Sequence, residues 1–341
     1  MTVSPEARYE TDAVIIGAGP AGLFSVFQLG MLRLSCHVVD ALEVIGGQLT
    51  ALYPEKPIYD IPGFPRVLAA DLVERLAEQA EPFKPYYHMG VKVESLLRLP
   101  DGRWEIGLSN GQGLVAPVVV IAAGAGAFGP NRPPLPDLHR YEGKSVFYLV
   151  QRREDLRDKR VVIAGGGDSA VDWAISLADL AARVMVVHRR QKFRAAPDSE
   201  ARLKAMAEQG AIELVIPYQL QSLEGEAGQL TAVEVATVDG QIRRLPADVL
   251  LPFFGLASDL GPIAQWGLVM NGPLITVEPA TLATNLKGIF AIGDVAGYPG
   301  KLKLILQGFS EAAMAAQAAF AVARPGQALH FEHSTASGVP V

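Results

Sequence analysis

The amino-acid sequence predicts an α/β fold in which one strand–turn–helix–strand unit occurs twice. Half of the residues are apolar, and the chain has 34 glycines and 24 prolines, as expected of a well-buried protein with many tight turns. The two copies of the unit occupy residues 12–41 and 160–190. A chain of 341 residues is long enough for two domains of ordinary size.

The first copy begins with an apolar run, Ala13 to Ile16, which predicts a buried parallel strand. The turn "GAGPAG" follows at Gly17, and Pro20 suits the first turn of a helix. In such a turn the first glycine permits a sharp bend, the second lets a pyrophosphate approach, and the third allows close helix packing. The phosphates would bind free N–H groups at the helix N-terminus.

The second copy has the same order of elements. Val161 to Ala164 predicts the strand, "GGGDSA" follows at Gly165 with Ala170 in the third position, and the next strand ends at Val187. One such motif is a weak signal, because it often marks only a tight turn. Two copies in the same context favour two Rossmann-like dinucleotide sites.

The two copies differ 23 residues after the first glycine, where one has Asp40 and the other has His188. A carboxylate here accepts hydrogen bonds from a ribose 2′-OH, so the first copy suits FAD or NAD. Arg189 and Arg190 would bind a 2′-phosphate through charge-assisted bonds, and Arg194 could join them. The second copy therefore predicts NADPH rather than NADH; the alternative is a solvated basic strand end.

A third motif, "TNLKGIFAIGDVAG", ends a predicted strand at Gly293 and Asp294, and a helix is predicted to begin near Ser310. Asp294 could bind ribityl hydroxyls, or phosphate through ordered groups. Alone, it could equally be a helix-capping residue.

Composition and charge exclude several classes of function. The net charge of −6 disfavours bulk nucleic-acid binding. The first residues lack the apolar core of a secretory signal, and no apolar run is long enough to span a bilayer, so the prediction is a cytoplasmic protein without a membrane segment. Cys36 is the only cysteine, which excludes an internal disulfide. No metal site is predicted.

These motifs, together with "GGQL" at Gly46, resemble those of the two-dinucleotide-binding flavoprotein reductases, in particular the small thioredoxin-reductase-like class. The resemblance covers nearly the whole chain. It implies two Rossmann-like, three-layer ββα domains, with the NADPH domain (131–250) inserted into a discontinuous FAD domain (1–130 and 251–341).

The sequence departs from thioredoxin reductase itself, which carries a Cys-x-x-Cys before its second turn. The corresponding stretch here is "FYLVQRREDLRDK". Without a dithiol, electrons cannot leave by thiol–disulfide exchange. Cys36 is predicted to be a small buried apolar side chain.

In finer detail the chain resembles the ferredoxin/flavodoxin–NADP⁺ reductases of this class, through "GGQLTALYPEKPIYDIPGFP", "FRAAPDS", "DVAGYPGKLKLI" and the tail "LHFEHSTASG". The resemblance implies that Tyr53 and His333 stack on the flavin, and that the tail comes from the partner subunit of a homodimer. Lys301 and Lys303 could face an acidic partner or solvent.

The site residues that the motifs and the resemblance imply fall into two groups. The FAD group is Gly17, Gly19, Ala21, Gly22, Asp40, Gly47, Gln48, Tyr53, Val93 (through its backbone), Phe128, Gly293, Asp294, His333 and Thr335. The NADPH group is Gly165, Gly167, Asp168, Ser169, Ala170, His188, Arg189, Arg190 and Arg194.

The predicted function is an FAD-containing, NADPH-dependent reductase that exchanges single electrons with a ferredoxin or flavodoxin. No side-chain acid, base or nucleophile is required, because the flavin carries the chemistry. Two alternatives stay open. One is an NADPH oxidase or a quinone or disulfide reductase with another acceptor. The other is a flavin- and NADPH-binding sensor without turnover.

Overall fold

The computed structural model describes residues 7–150, 152–329 and 338; at 127–130 and 256–258 it describes the backbone but not the side chains. The chain divides into two compact units. Unit 1 comprises Met1–Phe128 and Ser258–Val341, and unit 2 comprises Gly129–Ala257. Unit 2 is thus inserted into unit 1.

The first segment of unit 1 contains most of its strands. They are β1 (Ala7–Glu10), β2 (Ala13–Ile16), β3 (Cys36–Asp40), β4 (Pro57–Ile58), β5 (Val67–Leu68), β6 (Tyr86–Met89), β7 (Val93–Arg98), β8 (Trp104–Leu108), β9 (Gln112–Ala116) and β10 (Val118–Ile121). Its helices are α1 (Pro20–Met31), α2 (Gln48–Leu52) and α3 (Ala69–Ala80).

The segments that join the units carry β11 (Ala127–Pro130) and β19 (Leu256–Asp259), which pair with each other. Unit 2 contains β12 (Arg160–Ala164), β13 (Arg183–Val187), β14 (Glu213–Val215), β15 (Gln219–Glu226), β16 (Gln229–Ala236), β17 (Ile242–Pro246) and β18 (Val249–Pro252), with helices α4 (Asp168–Leu177) and α5 (Pro197–Glu208).

The second segment of unit 1 contains β20 (Met270–Asn271), β21 (Leu274–Thr276), β22 (Ile289–Ala291), β23 (Ala296–Gly297) and α6 (Ile305–Ala323). Short 3-10 helices lie at Glu81–Phe83, Leu138–Arg140, Arg153–Leu156, Gly261–Gln265 and Gly293–Val295. Helix α6 begins five residues before the predicted start near Ser310, because Gly308 lies inside the helix instead of interrupting it.

Unit 1 is built on a parallel sheet in the order β22–β10–β2–β3–β6. The central strand β2 is fully buried, as its apolar sequence predicts. Helix α1 packs against α3 and α6. Side chains of a second sheet, β1–β9–β8–β7, share the hydrophobic core with β2 and β10. These layers give the predicted ββα arrangement.

Unit 2 repeats this layering around the parallel sheet β14–β13–β12–β18. Alternate residues of a strand point to opposite faces. Val161 and Ile163 accordingly share a core with α4 and α5, whereas Val162 shares another core with the antiparallel sheet β15–β16–β17. The predicted α/β class with two Rossmann-like units is confirmed. The predicted division after residue 250 falls inside β18, which completes the sheet of unit 2.

A histidine pair links β3 to the edge strand β6 in unit 1. His37 Nδ1 lies 3.0 Å from His88 Nε2, and the His37 ring stacks on Tyr86 at 5.1 Å. Burial is the main reason that both pKa values lie below the ordinary 6.5, and the nearby His88 lowers that of His37 further. The pair is therefore neutral in the folded protein at neutral pH.

We expect the free energy of unfolding to fall as the pH drops below 6.5. In that range these two histidines bind protons in the unfolded chain but stay neutral in the folded chain. The loss continues until the pH reaches their lowered pKa values in the folded state. Urea unfolding at pH 7.5 and 5.5 measures the loss. His37→Asn, which keeps a nitrogen facing His88, should reduce the loss; an unchanged pH dependence would contradict this assignment.

Candidate functional site

The first glycine turn joins β2 to α1 and is shaped by packing at two positions. A Cβ on Gly17, whose φ is +111°, would lie 2.3 Å from the carbonyl oxygen of Ala122. A Cβ on Gly22 would lie 1.9 Å from the carbonyl oxygen of Gly17. Only glycine fits at either position, so the protein's own structure explains these two residues.

Gly19 is different, because a Cβ there would meet no atom of the described residues beyond its chain neighbours within 4 Å. Its φ of −71° and ψ of −178° suit any residue, and it precedes α1 without providing a side-chain cap. The space in front of this helix N-terminus is therefore open, and free N–H groups face it. This is the space that the pyrophosphate of a dinucleotide requires.

Asp40 lies at the end of β3, beside the turn. Its Oδ2 accepts a hydrogen bond from the N–H of Ala18 (2.7 Å), and its Oδ1 accepts one from the N–H of Leu42 (2.8 Å). Burial raises the pKa of Asp40, and the two N–H donors oppose that shift. Each oxygen keeps a lone pair, so the carboxylate is oriented to accept ribose hydroxyls.

Three further segments meet at the start of α1. A Cβ on Gly47 would lie 3.1 Å from Cα of Gly19. Cβ atoms built on Gly293 and Gly308 would lie 3.4 and 3.2 Å from Cβ of Ala21. The structure therefore brings together the first glycine turn, the turn before α2, the Gly293–Asp294 turn and the start of α6. Gln48 begins α2 directly after Gly47.

Tyr53 and Asp294 belong to the same neighbourhood. Burial and then the charge of Asp294 raise the pKa of Tyr53 to about 12, so its phenol is neutral near pH 7. Lys56 Nζ lies 5.7 Å from the centre of the Tyr53 ring. Within the described part of the chain, no group donates a hydrogen bond to the half-buried carboxylate of Asp294. That carboxylate is available for hydroxyl groups of a ligand.

Four members of the predicted FAD group remain: Val93, Phe128, His333 and Thr335. Val93 begins β7, and its side chain is part of the unit 1 core. The side chain of Phe128 and the whole of His333 and Thr335 lie outside the described residues. Their roles stay predictions.

The second glycine turn joins β12 to α4 and follows the same logic as the first. A Cβ on Gly165 would lie 2.5 Å from the carbonyl oxygen of Phe253 and 3.1 Å from Cβ of Ala170. A Cβ on Gly167 would meet nothing within 4 Å among the residues that the structure describes. Asp168 and Ser169 are exposed in the first turn of α4. Again the middle position is open where phosphates would approach.

The ring of His188 packs against this turn at Gly166. A Cβ on Gly166 would lie 2.2 Å from Cε1 of His188, whose ring stacks on Phe193 at 5.1 Å. His188 Nε2 lies 3.2 Å from the carbonyl oxygen of Lys192. Burial is the main cause that lowers the pKa of His188, and the neighbouring arginines lower it further. A neutral ring that packs beneath Gly166 fits a supporting role better than a phosphate-binding one.

The three arginines of the predicted NADPH group are exposed: Arg189, Arg190 and Arg194. No carboxylate in the described ranges forms an ion pair with them. The Arg194 N–H donates to the carbonyl oxygen of Gly166 (2.6 Å), and the Ala196 N–H donates to Asp168 Oδ1 (2.9 Å). These two backbone N–H donors hold the "FRAAPDS" segment, and with it Arg194, beside the turn.

Gly166→Ala should weaken NADPH binding about tenfold, the effect of roughly 1.4 kcal/mol. The new methyl group would displace the His188 ring, and with it the strand end that carries Arg189 and Arg190. Titration of the purified variant with NADPH measures the dissociation constant. FAD content should match the wild type, since unit 1 is untouched. Wild-type NADPH affinity would show that the ring moves without consequence.

Two lysines and the cysteine differ in exposure. Lys301 is buried in an ion pair with Glu311, whereas Lys303 is exposed. Lys301 is therefore not a surface residue that could face an acidic partner. The sequence did not show this, because Glu311, the carboxylate that pairs with Lys301, lies ten residues away along the chain. Cys36 is buried, and burial raises its thiol pKa to about 12. It is a small core residue, as predicted, with an inert thiol.

Over residues 7–150 and 152–329, no three His, Cys, Asp or Glu side chains are grouped to hold a metal ion. In the same ranges, no helix is both long and apolar enough to cross a bilayer.

Two glycine turns, each open at its middle position and each inside a Rossmann-like unit, define a two-dinucleotide oxidoreductase. The chain belongs to the pyridine nucleotide-disulphide oxidoreductase family, whose model matches residues 11–321.

Comparison with individual proteins agrees. The chain is 69% identical to a ferredoxin–NADP reductase of Paramagnetospirillum magneticum, over 98% of this chain and 99% of that one. It is 61% identical to a ferredoxin–NADP reductase of Rhodospirillum rubrum, over 99% of each chain. Its fold is similar to the thioredoxin reductase of Lactococcus lactis, with a TM-score of 0.79, 23% identity and coverage of 92% of this chain and 99% of that one.

Proposed function

We propose that this chain is a ferredoxin–NADP reductase that binds FAD in unit 1 and NADPH in unit 2, and exchanges electrons with a ferredoxin or flavodoxin. One observation carries the cofactor assignment. The two turns are alike, but one strand is followed by different residues from the other: the first ends in an oriented carboxylate, Asp40, and the second is followed by Arg189 and Arg190, which form no ion pair with any described residue. Relatives that match over nearly their full length and are named ferredoxin–NADP reductase support ferredoxin as the acceptor.

The residues of unit 1 fit FAD. The open space at Gly19 admits a pyrophosphate, and Asp40 suits an adenosine ribose. The Asp294 carboxylate accepts no hydrogen bond from the described residues and can accept further hydroxyls. Unit 2 fits NADPH, since Gly167 is open, Arg194 is held beside the turn through its backbone, and Arg189 and Arg190 are exposed just after the strand that ends at Val187. The homodimer that the resemblance implies and the cytoplasmic location that the composition predicts are part of the same proposal.

FAD, when bound, supplies the chemistry that links two-electron transfer with NADPH to one-electron transfer with the protein partner. The chain's own residues position and bind. Tyr53 offers a neutral aromatic ring for stacking, which adds to buried area without adding charge. Arg189 and Arg190 hold the 2′-phosphate, which takes no part in the reaction, so they act on binding and specificity. No side chain has to move a proton.

A disulfide reductase is disfavoured, because the only cysteine of the chain is buried with a raised thiol pKa. The decisive experiment is NADPH-driven reduction of a panel of ferredoxins and flavodoxins by the purified protein. We expect rapid reduction of at least one member, and slow reoxidation by O₂ alone. Flavin reduction without transfer to any member would favour the oxidase or quinone reductase. No flavin reduction by NADPH would favour a sensor without turnover.

A further inference from the structure

A buried charge lies directly behind the Gly293–Asp294 turn. Glu311, on α6, has 1% of its side chain exposed, and its ion-pair partner Lys301 has 5%. Glu311 Oε2 accepts a hydrogen bond from the N–H of Gly293 (2.7 Å). Its Oε1 accepts one from the hydroxyl of Tyr298 (2.5 Å) and one from the Lys301 ammonium. We refer to Gly293, Tyr298, Lys301 and Glu311 as the Glu311 cluster.

The cluster is closed and satisfied. Gln307 Nε2 donates to the hydroxyl oxygen of Tyr298 (2.7 Å), so the phenol both donates and accepts. A carboxylate this deeply buried is costly unless it is paired and hydrogen-bonded. Core stability alone seldom requires such an arrangement, because an apolar replacement of similar volume is often neutral or stabilising. The position of the cluster therefore needs another explanation.

That position is the back of the candidate FAD site. Gly293 has a φ of +70° and is followed by Asp294, whose carboxylate has no donor in the described part of the chain. The Gly293 N–H is the first of the 3-10 turn that carries Asp294. A Cβ on Gly308 would lie 3.6 Å from Cα of Gly293 and 3.2 Å from Cβ of Ala21. Helix α6 thus contacts the turn twice, through Gly308 and through Glu311.

We propose that Glu311 is a positioning residue for FAD: it holds the Gly293 N–H and thereby fixes where Asp294 meets the cofactor. Lys301 balances the charge, and with Tyr298 it ties residues 298–301 to the same carboxylate. This inference rests on the proposed function, because it takes unit 1 as the FAD domain. It assigns a role to Tyr298 and Lys301, which lie inside the "DVAGYPGKLKLI" motif that begins at Asp294.

Two double variants separate positioning from stability. Both replace Lys301 with Met, so that neither leaves an unpaired buried charge. Glu311→Gln with Lys301→Met keeps an amide oxygen that can accept from Gly293. Glu311→Leu with Lys301→Met removes that acceptor in a side chain of similar size. Apoprotein unfolding in urea reports stability, while titration with FAD and the circular dichroism of the bound flavin report affinity and placement.

We expect the Gln/Met variant to bind FAD like the wild type. The Leu/Met variant should bind about tenfold more weakly, the value of one lost hydrogen bond, with altered flavin circular dichroism. Equal FAD affinity and equal circular dichroism in the two variants would overturn the inference.

Glu311→Asp provides a second test if the Leu/Met apoprotein does not fold. It keeps the charge but withdraws the carboxylate by one methylene group. It should also weaken FAD binding; wild-type affinity would overturn the inference. If the wild-type apoprotein itself failed to bind FAD, the proposed function would be wrong, whereas insensitive Glu311 variants contradict only the positioning role.

Discussion

Replacing Arg189 and Arg190 together with alanine should raise KM for NADPH by about 100-fold or more, since two charge-assisted hydrogen bonds are worth roughly 1.5–3 kcal/mol each. Both side chains are exposed and without ion-pair partners in the described structure, so their removal breaks no ion pair there. KM for NADH should change little, because NADH lacks the 2′-phosphate. Steady-state kinetics with each nucleotide give the ratio.

Arg244→Ala is a matched control in unit 2. Arg244 is also an exposed arginine, but it lies on β17 and pairs with Glu224 at 2.9 Å. The Arg244→Ala variant should leave the KM values for NADPH and NADH unchanged. In the wild type, the preference for NADPH should weaken as the salt concentration rises, because salt screens the contact with the 2′-phosphate. If the double variant loses NADPH and NADH equally, the arginines do not read the 2′-phosphate.

The fold could be predicted because its signals are local. The apolar strand Ala13–Ile16, the glycine turn and the offset to Asp40 lie within one short stretch, and the second copy repeats them. Parallel strands buried on both faces must be apolar, so the sequence reveals them directly. The second boundary between the units was harder to predict, because nothing in the sequence shows that β18 pairs with β12 and so belongs to unit 2.

The candidate site could be predicted only where the backbone defines it. Gly17 and Gly22 follow from the turn geometry, but the supporting side chains depend on contacts between distant residues. His188 appears in sequence as part of a basic cluster, yet its ring packs beneath Gly166. Lys301 appears as a surface lysine, yet Glu311 lies beside it in space. Glu311 itself had no signal in the sequence except that it is the single charged residue of α6.

The glycines of the first turn offer the second large effect, because packing and cofactor approach can be separated there. Gly22→Ala places a methyl group 1.9 Å from the carbonyl oxygen of Gly17, so the apoprotein itself should be destabilised. Gly19→Ala places the same group where the described part of the chain has no atom within 4 Å apart from the flanking residues, with φ and ψ values that alanine adopts freely. Its apoprotein should therefore unfold like the wild type.

FAD binding should nevertheless fall by about 100-fold or more in Gly19→Ala, because the methyl group would hold the pyrophosphate away from the free N–H groups of α1, and hydrogen bonds to charged groups are worth roughly 1.5–3 kcal/mol each. Urea unfolding of the apoprotein and FAD titration, measured on both variants, distinguish the two effects. Gly167→Ala is the corresponding change in unit 2 and should lower NADPH affinity while FAD affinity is retained. Full FAD affinity in Gly19→Ala would mean that the pyrophosphate does not approach α1 through this opening. The assignment of FAD to the first turn would then have to be abandoned, even though the fold is unaffected.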